Sequence, residues 1–201
     1  MSNRPLLYFL TVVFFSFCLI SCSATKNNHD ETGDLVHSSC LHANYPTICL
    51  RTLSSYKGPA KTHRDLAQAA VKVSLSRARK VSKYLTQVSS SVNKGTNKRE
   101  RVALSDCVEQ LSDSVEELGK TLSELKHLRG ETFRWQMSNA ETWASAALTN
   151  EDTCLDGFED VDGKVKSDVK KKITSVARVT SNALYMINRL DESRDRPRFN
   201  P

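Results

Sequence analysis

Glycine and proline are scarce in this 201-residue chain, at seven and five, and no segment sustains an alternation of apolar and polar residues. Half-buried strands need that alternation and tight hairpins lean on glycine, so a sheet-rich fold is not expected. The short signatures of common catalytic sites are absent as well. There is no Gly-x-Ser-x-Gly, no His-Glu-x-x-His and no glycine-rich phosphate loop. No Asn-x-Ser/Thr sequon occurs, so N-glycosylation is not expected. Carboxylates are plentiful, but on helices their ordinary duty is solvation, and an alanine-rich bundle core leaves little room for a substrate pocket. These absences argue against an enzyme.

The one long apolar run stands at the start. Arg4 precedes Leu6 to Ile20, and Cys22-Ser23-Ala24 supply small residues after it. A basic opening, an apolar stretch short for a bilayer span and a small-residue close describe a secretory leader over residues 1–24. Leu19-Ile20-Ser21-Cys22 also resembles a lipoprotein cleavage box, which would leave a lipidated Cys22 instead. Removing 24 residues leaves 177, enough for one domain with its own core. Cys18 and Cys22 leave with the leader, while Cys40, Cys49, Cys107 and Cys154 remain. In an exported chain four thiols are expected as two disulfides. Loss of Arg4 moves the formal charge from +6 to +5, a mild excess that suits polyanion-rich surroundings. It falls well short of the dense basic clustering of a nucleic-acid binder.

After a polar stretch, four long segments each carry one apolar stripe in steps of three and four. Thr62-His63-Arg64-Asp65 is a capping box opening the first, which passes Ala67, Val71, Leu75, Ala78, Val81, Leu85, Val88 and Val92 before Gly95. The second carries Leu104, Cys107, Leu111, Val115, Leu118, Leu122, Leu125 and Leu128 up to Gly130. The third spans residues 132–158 through Met137, Ala140, Ala144, Ala147 and Leu148. The fourth starts near Gly163 and passes Val165, Val169, Ile173, Val176, Thr180, Ala183, Ile187 and Leu190. One stripe per helix with short connections specifies an all-α, antiparallel up-down four-helix bundle over residues 34–190. Ahead of the long helices two short pieces form a helical hairpin, the second opening at Tyr45-Pro46, where proline fits a first helical turn. Residues 191–201 alternate in charge around Pro197 and are expected as a flexible tail.

Cys107 falls near the start of the second long helix and Cys154 near the end of the third. Antiparallel neighbours bring such positions together, so 40–49 with 107–154 is the least costly of the three connectivities. Loop-closure entropy assigns about 2.6 kcal/mol to the short loop and about 4 kcal/mol to the long one. His37, Cys40, His42 and Cys49 are zinc's preferred ligand types, but their spacing matches no standard finger and export favours the disulfide. Neither a metal nor a cofactor is expected.

One charge pattern is more pointed. Asp106, Glu109, Asp113 and Glu116 step by three, four and three along the second long helix, a carboxylate ridge beside the apolar stripe. Basic residues gather elsewhere, at Arg77, Arg79, Lys80 and Lys83 and from Lys164 to Lys172. The ridge is either an ordinary wet helix face or a surface that docks on a basic partner.

Several stretches together carry a resemblance. They are Cys40-x8-Cys49 with Tyr45-Pro46, Ala103-Leu104-Ser105-Asp106-Cys107-Val108-Glu109, Trp143 to Thr149 followed by Thr153-Cys154-Leu155-Asp156-Gly157-Phe158, and Ser181-Asn182-Ala183-Leu184. This set resembles the plant invertase/pectin methylesterase inhibitor family over residues 34–190. The resemblance implies a four-helix bundle with an N-terminal hairpin and disulfides joining first to second and third to fourth cysteine. It also implies a secreted, cofactor-free inhibitor of the apoplast and cell wall, monomeric when free, that covers the pectin methylesterase cleft in a one-to-one complex. Residue matching carries the family's esterase-contacting positions onto Glu109, Asp113, Glu116, Thr153 and Asp156. Invertase inhibitors of the family use a Pro-Lys-Phe loop before the last helix. Gly163 and Val165 stand at the flanking positions here, around Lys164, which argues against that target. A bundle that binds cell-wall polyanion through its basic helices is the remaining alternative.

Overall fold

The computed structural model describes residues 28–92, 97–161 and 164–195. The leader expected over 1–24, Gly95, Gly163 and residues 196–201 lie outside them. The chain divides into units Met1–Glu31 and Thr32–Pro201; of the first, only residues 28–31 are described, and the bundle belongs to the second. Among the described residues six helices follow one another: α1 (Asn28–Cys40), α2 (Pro46–Ser54), α3 (His63–Ser91), α4 (Lys98–Lys126), α5 (Phe133–Asp156) and α6 (Lys164–Asp195). There is no strand among the described residues.

Local chemistry sets the helix ends. Pro46 opens α2 at its first turn. The capping box at α3 forms as its sequence implies: Thr62 Oγ1 accepts from Asp65 N at 3.0 Å, and Asp65 Oδ2 accepts from Thr62 N at 3.1 Å. Asn97 caps α4 by accepting from Arg99 N at 3.0 Å. The far end of α4 is satisfied from other helices. Arg64 reaches across from α3 to donate to Leu125 O and Lys126 O at 3.1 and 2.9 Å, and Gln68 Nε2 donates to Leu125 O at 3.0 Å. Gln136 folds the α4–α5 turn around itself, accepting from Arg129 N and donating to His127 O, both at 2.9 Å.

The long helices pack in a square, with α3 against α4, α4 against α5, α5 against α6 and α6 against α3. Their stripes meet in the middle: Leu66, Leu85, Leu104, Leu111, Leu118, Leu125, Met137, Phe158, Ile173, Met186 and Ile187 are fully buried. The α1–α2 hairpin leans on the α3/α6 edge. Asn182 both accepts from Tyr45 N at 2.9 Å and donates to Tyr45 O at 3.0 Å, and Arg178 lies over the Tyr45 ring. A disulfide joins Cys40 to Cys49 with Cα atoms 5.5 Å apart; a second joins Cys107 to Cys154 at 4.6 Å.

The architecture matches the sequence expectation, and three details differ. Helix α1 begins at Asn28, inside the stretch read as merely polar. Helix α6 continues to Asp195, so residues 191–195 of the expected tail are helical. Leu190 is buried at its root and Ser193 Oγ donates back to Leu190 O at 2.8 Å, so the α6 ladder runs on past the last buried leucine. Val115, Leu122 and Leu148 are half-buried; Ser114, Thr121 and Glu151 hold the corresponding core positions.

Candidate interaction surface

The α4/α5 edge is built from one covalent and several polar cross-links. Cys107 and Cys154, both buried, tie the early part of α4 to the end of α5. Moving away from the bridge, Glu117 accepts from Asn150 Nδ2 at 2.9 Å, and Glu124 accepts from Asn139 Nδ2 at 3.2 Å. Between these rungs, Lys120 Nζ sits 4.5 Å from the centroid of the Trp143 ring and pairs with Glu116 Oε1 at 2.7 Å. These contacts hold two helices side by side as one rigid face.

On that face the ridge is where its spacing puts it. Asp106, Glu109, Asp113 and Glu116 are all exposed on α4. The Lys120 hydrogen bond, reinforced by its charge, holds Glu116 below the usual carboxylate range. Glu117, one residue on, is pushed up by burial and also by its neighbours Asp113 and Glu116, with the Asn150 hydrogen bond opposing. Thr153 and Asp156 are exposed on α5 beside the bridge, and Thr153 Oγ1 donates to Thr149 O at 2.8 Å. Burial, then the charge of Asp156, raises Asp152. The structure thus groups Asp113, Glu116 and Glu117 on one helix and Asp152, Thr153 and Asp156 on the next. No hydrogen bond or ion pair joins Glu109, Asp113 or Glu116 to Thr153 or Asp156 among the described residues. Such a surface offers fixed negative charge on two adjoining helices.

Sequence reasoning missed the polar contacts that stiffen this edge, Asn150 with Glu117 and Lys120 with Trp143. Neither pair has a local spacing signal, since the partners lie on different helices. Of the four residues weighed as zinc ligands, Cys40 and Cys49 are bonded to each other, and His37 and His42 are exposed. No group of three or more potential metal ligands occurs among the described residues. No helix there is long and apolar enough to cross a membrane.

A sequence model described as plant invertase/pectin methylesterase inhibitor matches residues 34–186. The chain belongs to that family. It is 56% identical to pectinesterase inhibitor 3 of Arabidopsis thaliana over 196 residues, which cover 94% of each protein. It is 39% identical to pectinesterase inhibitor 9 of the same plant over 91% of this chain and 93% of that one. The crystal structure of a mutant form of an Arabidopsis pectin methylesterase inhibitor superposes with a TM-score of 0.61 at 22% identity, covering 74% of this chain and 92% of that one. That likeness carries the fold, and the family is one of inhibitors rather than of enzymes.

Proposed function

We propose that this chain is a secreted inhibitor of pectin methylesterase. It acts as a rigid plug whose α4/α5 face covers the enzyme's active-site cleft in a one-to-one complex, restraining pectin de-esterification in the cell wall. The observation that carries this reading is the 56% identity, across nearly the full length of both chains, with a relative named for inhibiting pectinesterase. Exposed Glu109, Asp113, Glu116, Thr153 and Asp156 flank the buried Cys107–Cys154 bridge and supply the contact face. Two disulfides and the leader support export to an oxidising compartment.

The test is direct. The mature, disulfide-bonded protein is incubated separately with a plant pectin methylesterase and an acid invertase at mildly acidic pH, following methanol release and sucrose cleavage. Methanol release should fall to near zero at a one-to-one molar ratio while sucrose cleavage continues. Unimpaired methanol release with blocked sucrose cleavage would replace the esterase by invertase as the target.

A further inference from the structure

Across the bundle from α4 and α5, the residues trailing α2 meet α3 at a groove of about 330 Å³. Tyr56, Lys72, Val73, Ser76, Arg77 and Lys80 line it. The Arg77 guanidinium is anchored: its Nη1 donates to Ser175 Oγ at 3.0 Å and to Ser175 O at 3.4 Å, leaving Nε and Nη2 without a partner among the described residues. Arg51, near the end of α2, stands close enough that its charge, after the larger effect of burial, lowers Arg77 from its ordinary value. Lys72 Nζ lies 3.3 Å from Tyr56 Oη and 5.9 Å from the centroid of that ring. Gly58 lets the chain close on the ring, since a Cβ there would run into Tyr56 Cε1. No carboxylate lines the groove, and among the described residues none is ion-paired with Arg51, Lys72, Arg77 or Lys80.

Like charges gathered in a concavity repel, and the field they create there draws an anion in. Guanidinium forks match carboxylates in geometry, and the Tyr56 ring adds a flat apolar wall of the kind a sugar ring covers. Lys72 and Lys80 are eight residues apart, about 12 Å along α3, which suits several charges in a row better than one small ion. We propose that this groove binds a linear polyuronate, the carboxylate-bearing chain that pectin de-esterification produces. The choice of uronate rests on the pectin methylesterase reading; the anion groove itself does not. Binding there holds the inhibitor on its target's product and leaves the α4/α5 face open to the enzyme.

The experiment measures retention of the disulfide-bonded protein on polygalacturonate, on fully methyl-esterified pectin and on dextran sulfate. Polygalacturonate should retain the protein, esterified pectin should not, and retention should weaken at least about tenfold as salt rises from about 50 to about 300 mM. Arg51→Ala with Arg77→Ala, and independently Lys72→Gln with Lys80→Gln, should each weaken retention at least about tenfold. The second pair guards against a folding defect from loss of the Ser175 anchor. Lys170→Gln with Lys171→Gln removes equal charge from exposed positions outside the groove and should change retention less than about twofold. Equal losses in all three variants, or equal retention on esterified pectin, would overturn the groove. Dextran sulfate held as tightly through the same residues would overturn the uronate assignment. Esterase inhibition, measured in parallel, should be unchanged in every variant. Groove variants that also lose inhibition would place these residues in the enzyme interface and sink the proposal. Groove-dependent polygalacturonate binding by a protein that inhibits no pectin methylesterase would sink the function reading and leave the groove standing.

Discussion

Ser114 Oγ lies 2.7 Å from Glu151 Oε1, a hydrogen bond between two side chains that expose no surface to solvent. Thr180 Oγ1 donates to the same oxygen at 2.9 Å, and Ser74 Oγ is 2.6 Å from Thr180 Oγ1. One side chain from each long helix therefore meets in a single polar layer inside the bundle. Either hydroxyl can donate in the Ser74–Thr180 bond, and Thr180 Oγ1 also lies 3.2 Å from Val176 O. Glu151 Oε2 has no partner. Burial raises Glu151 from 4.5 to about 8; the Ser114 and Thr180 hydrogen bonds oppose the rise, while Asp152 and Glu117 add to it. The carboxyl is neutral in mildly acidic surroundings. A layer of this kind ties register to hydrogen bonding, because sliding one helix by a turn would strand the other three groups.

Stability should fall as pH rises. The folded chain keeps the Glu151 proton to about pH 8, whereas the unfolded chain releases it near 4.5, so the folded state binds more protons between those values. The contribution is fully present below the lower value and is lost through the upper one. Its upper bound is on the order of 5 kcal/mol. Thermal melts at about pH 5 and about pH 8 should show the drop, and Glu151→Gln, which keeps the shape without the charge, should flatten it. Glu117, Glu141 and Asp152 are raised in the same direction, leaving a residual slope in the lower part of the window. A Gln variant as pH-dependent as the parent would remove Glu151 from the account.

The bundle is legible in the sequence because helical periodicity repeats the same information at every turn. Glu151 was nonetheless on the page. It continues the α5 series Ala140, Ala144, Ala147 in the same step and precedes Cys154, but its charge disguises a core position. Ser114 and Thr121 hide in the α4 stripe the same way, behind the more apolar Val115 and Leu122. The proposed docking residues are less legible for a physical reason: a carboxylate ridge bound for a partner and one bound for water have the same spacing and the same exposure. The groove is half legible: Arg77 and Lys80 stand in the basic cluster of α3, but Arg51 comes within range of Arg77 only when the hairpin settles against α3 and α6.

The two disulfides should differ in worth. Cys107–Cys154 closes 47 residues and Cys40–Cys49 closes nine. Replacing the first pair by alanine should cost about 4 kcal/mol and replacing the second about 2.6 kcal/mol, following the entropy each loop removes from the unfolded chain. Urea unfolding at fixed mildly acidic pH measures both. The reverse order would mean that hairpin docking, rather than loop closure, dominates.

Arg64 should be a stability residue with no part in docking. It satisfies the orphan carbonyls of Leu125 and Lys126 at the end of α4 from a neighbouring helix. Arg64→Met keeps much of the stem and strips the donors, leaving Leu125 O with Gln68 and Lys126 O to water. The expected cost is about 1–2 kcal/mol in denaturant unfolding, with esterase inhibition intact. A variant as stable as the parent would show that solvent replaces the guanidinium at no cost.

Asp113 and Glu116 allow the sharpest test of the proposed docking face, because their effect on folding can be separated from their effect on binding. Both are exposed, and the Glu116–Lys120 pair is a surface contact within one helix. Reversing both charges, Asp113→Lys with Glu116→Lys, should leave helix content and melting temperature unchanged. Inhibition of a pectin methylesterase should weaken at least about tenfold, chiefly through slower association and with a smaller dependence on salt. Lys120 keeps Glu116 ionised further into the acid range than an ordinary glutamate. The ridge should therefore stay charged at Glu116 as pH falls, so the gap between parent and variant should persist under mildly acidic assay conditions. Unchanged potency with unchanged folding would detach the carboxylate ridge from inhibition and move the search for the contact face to another edge of the bundle.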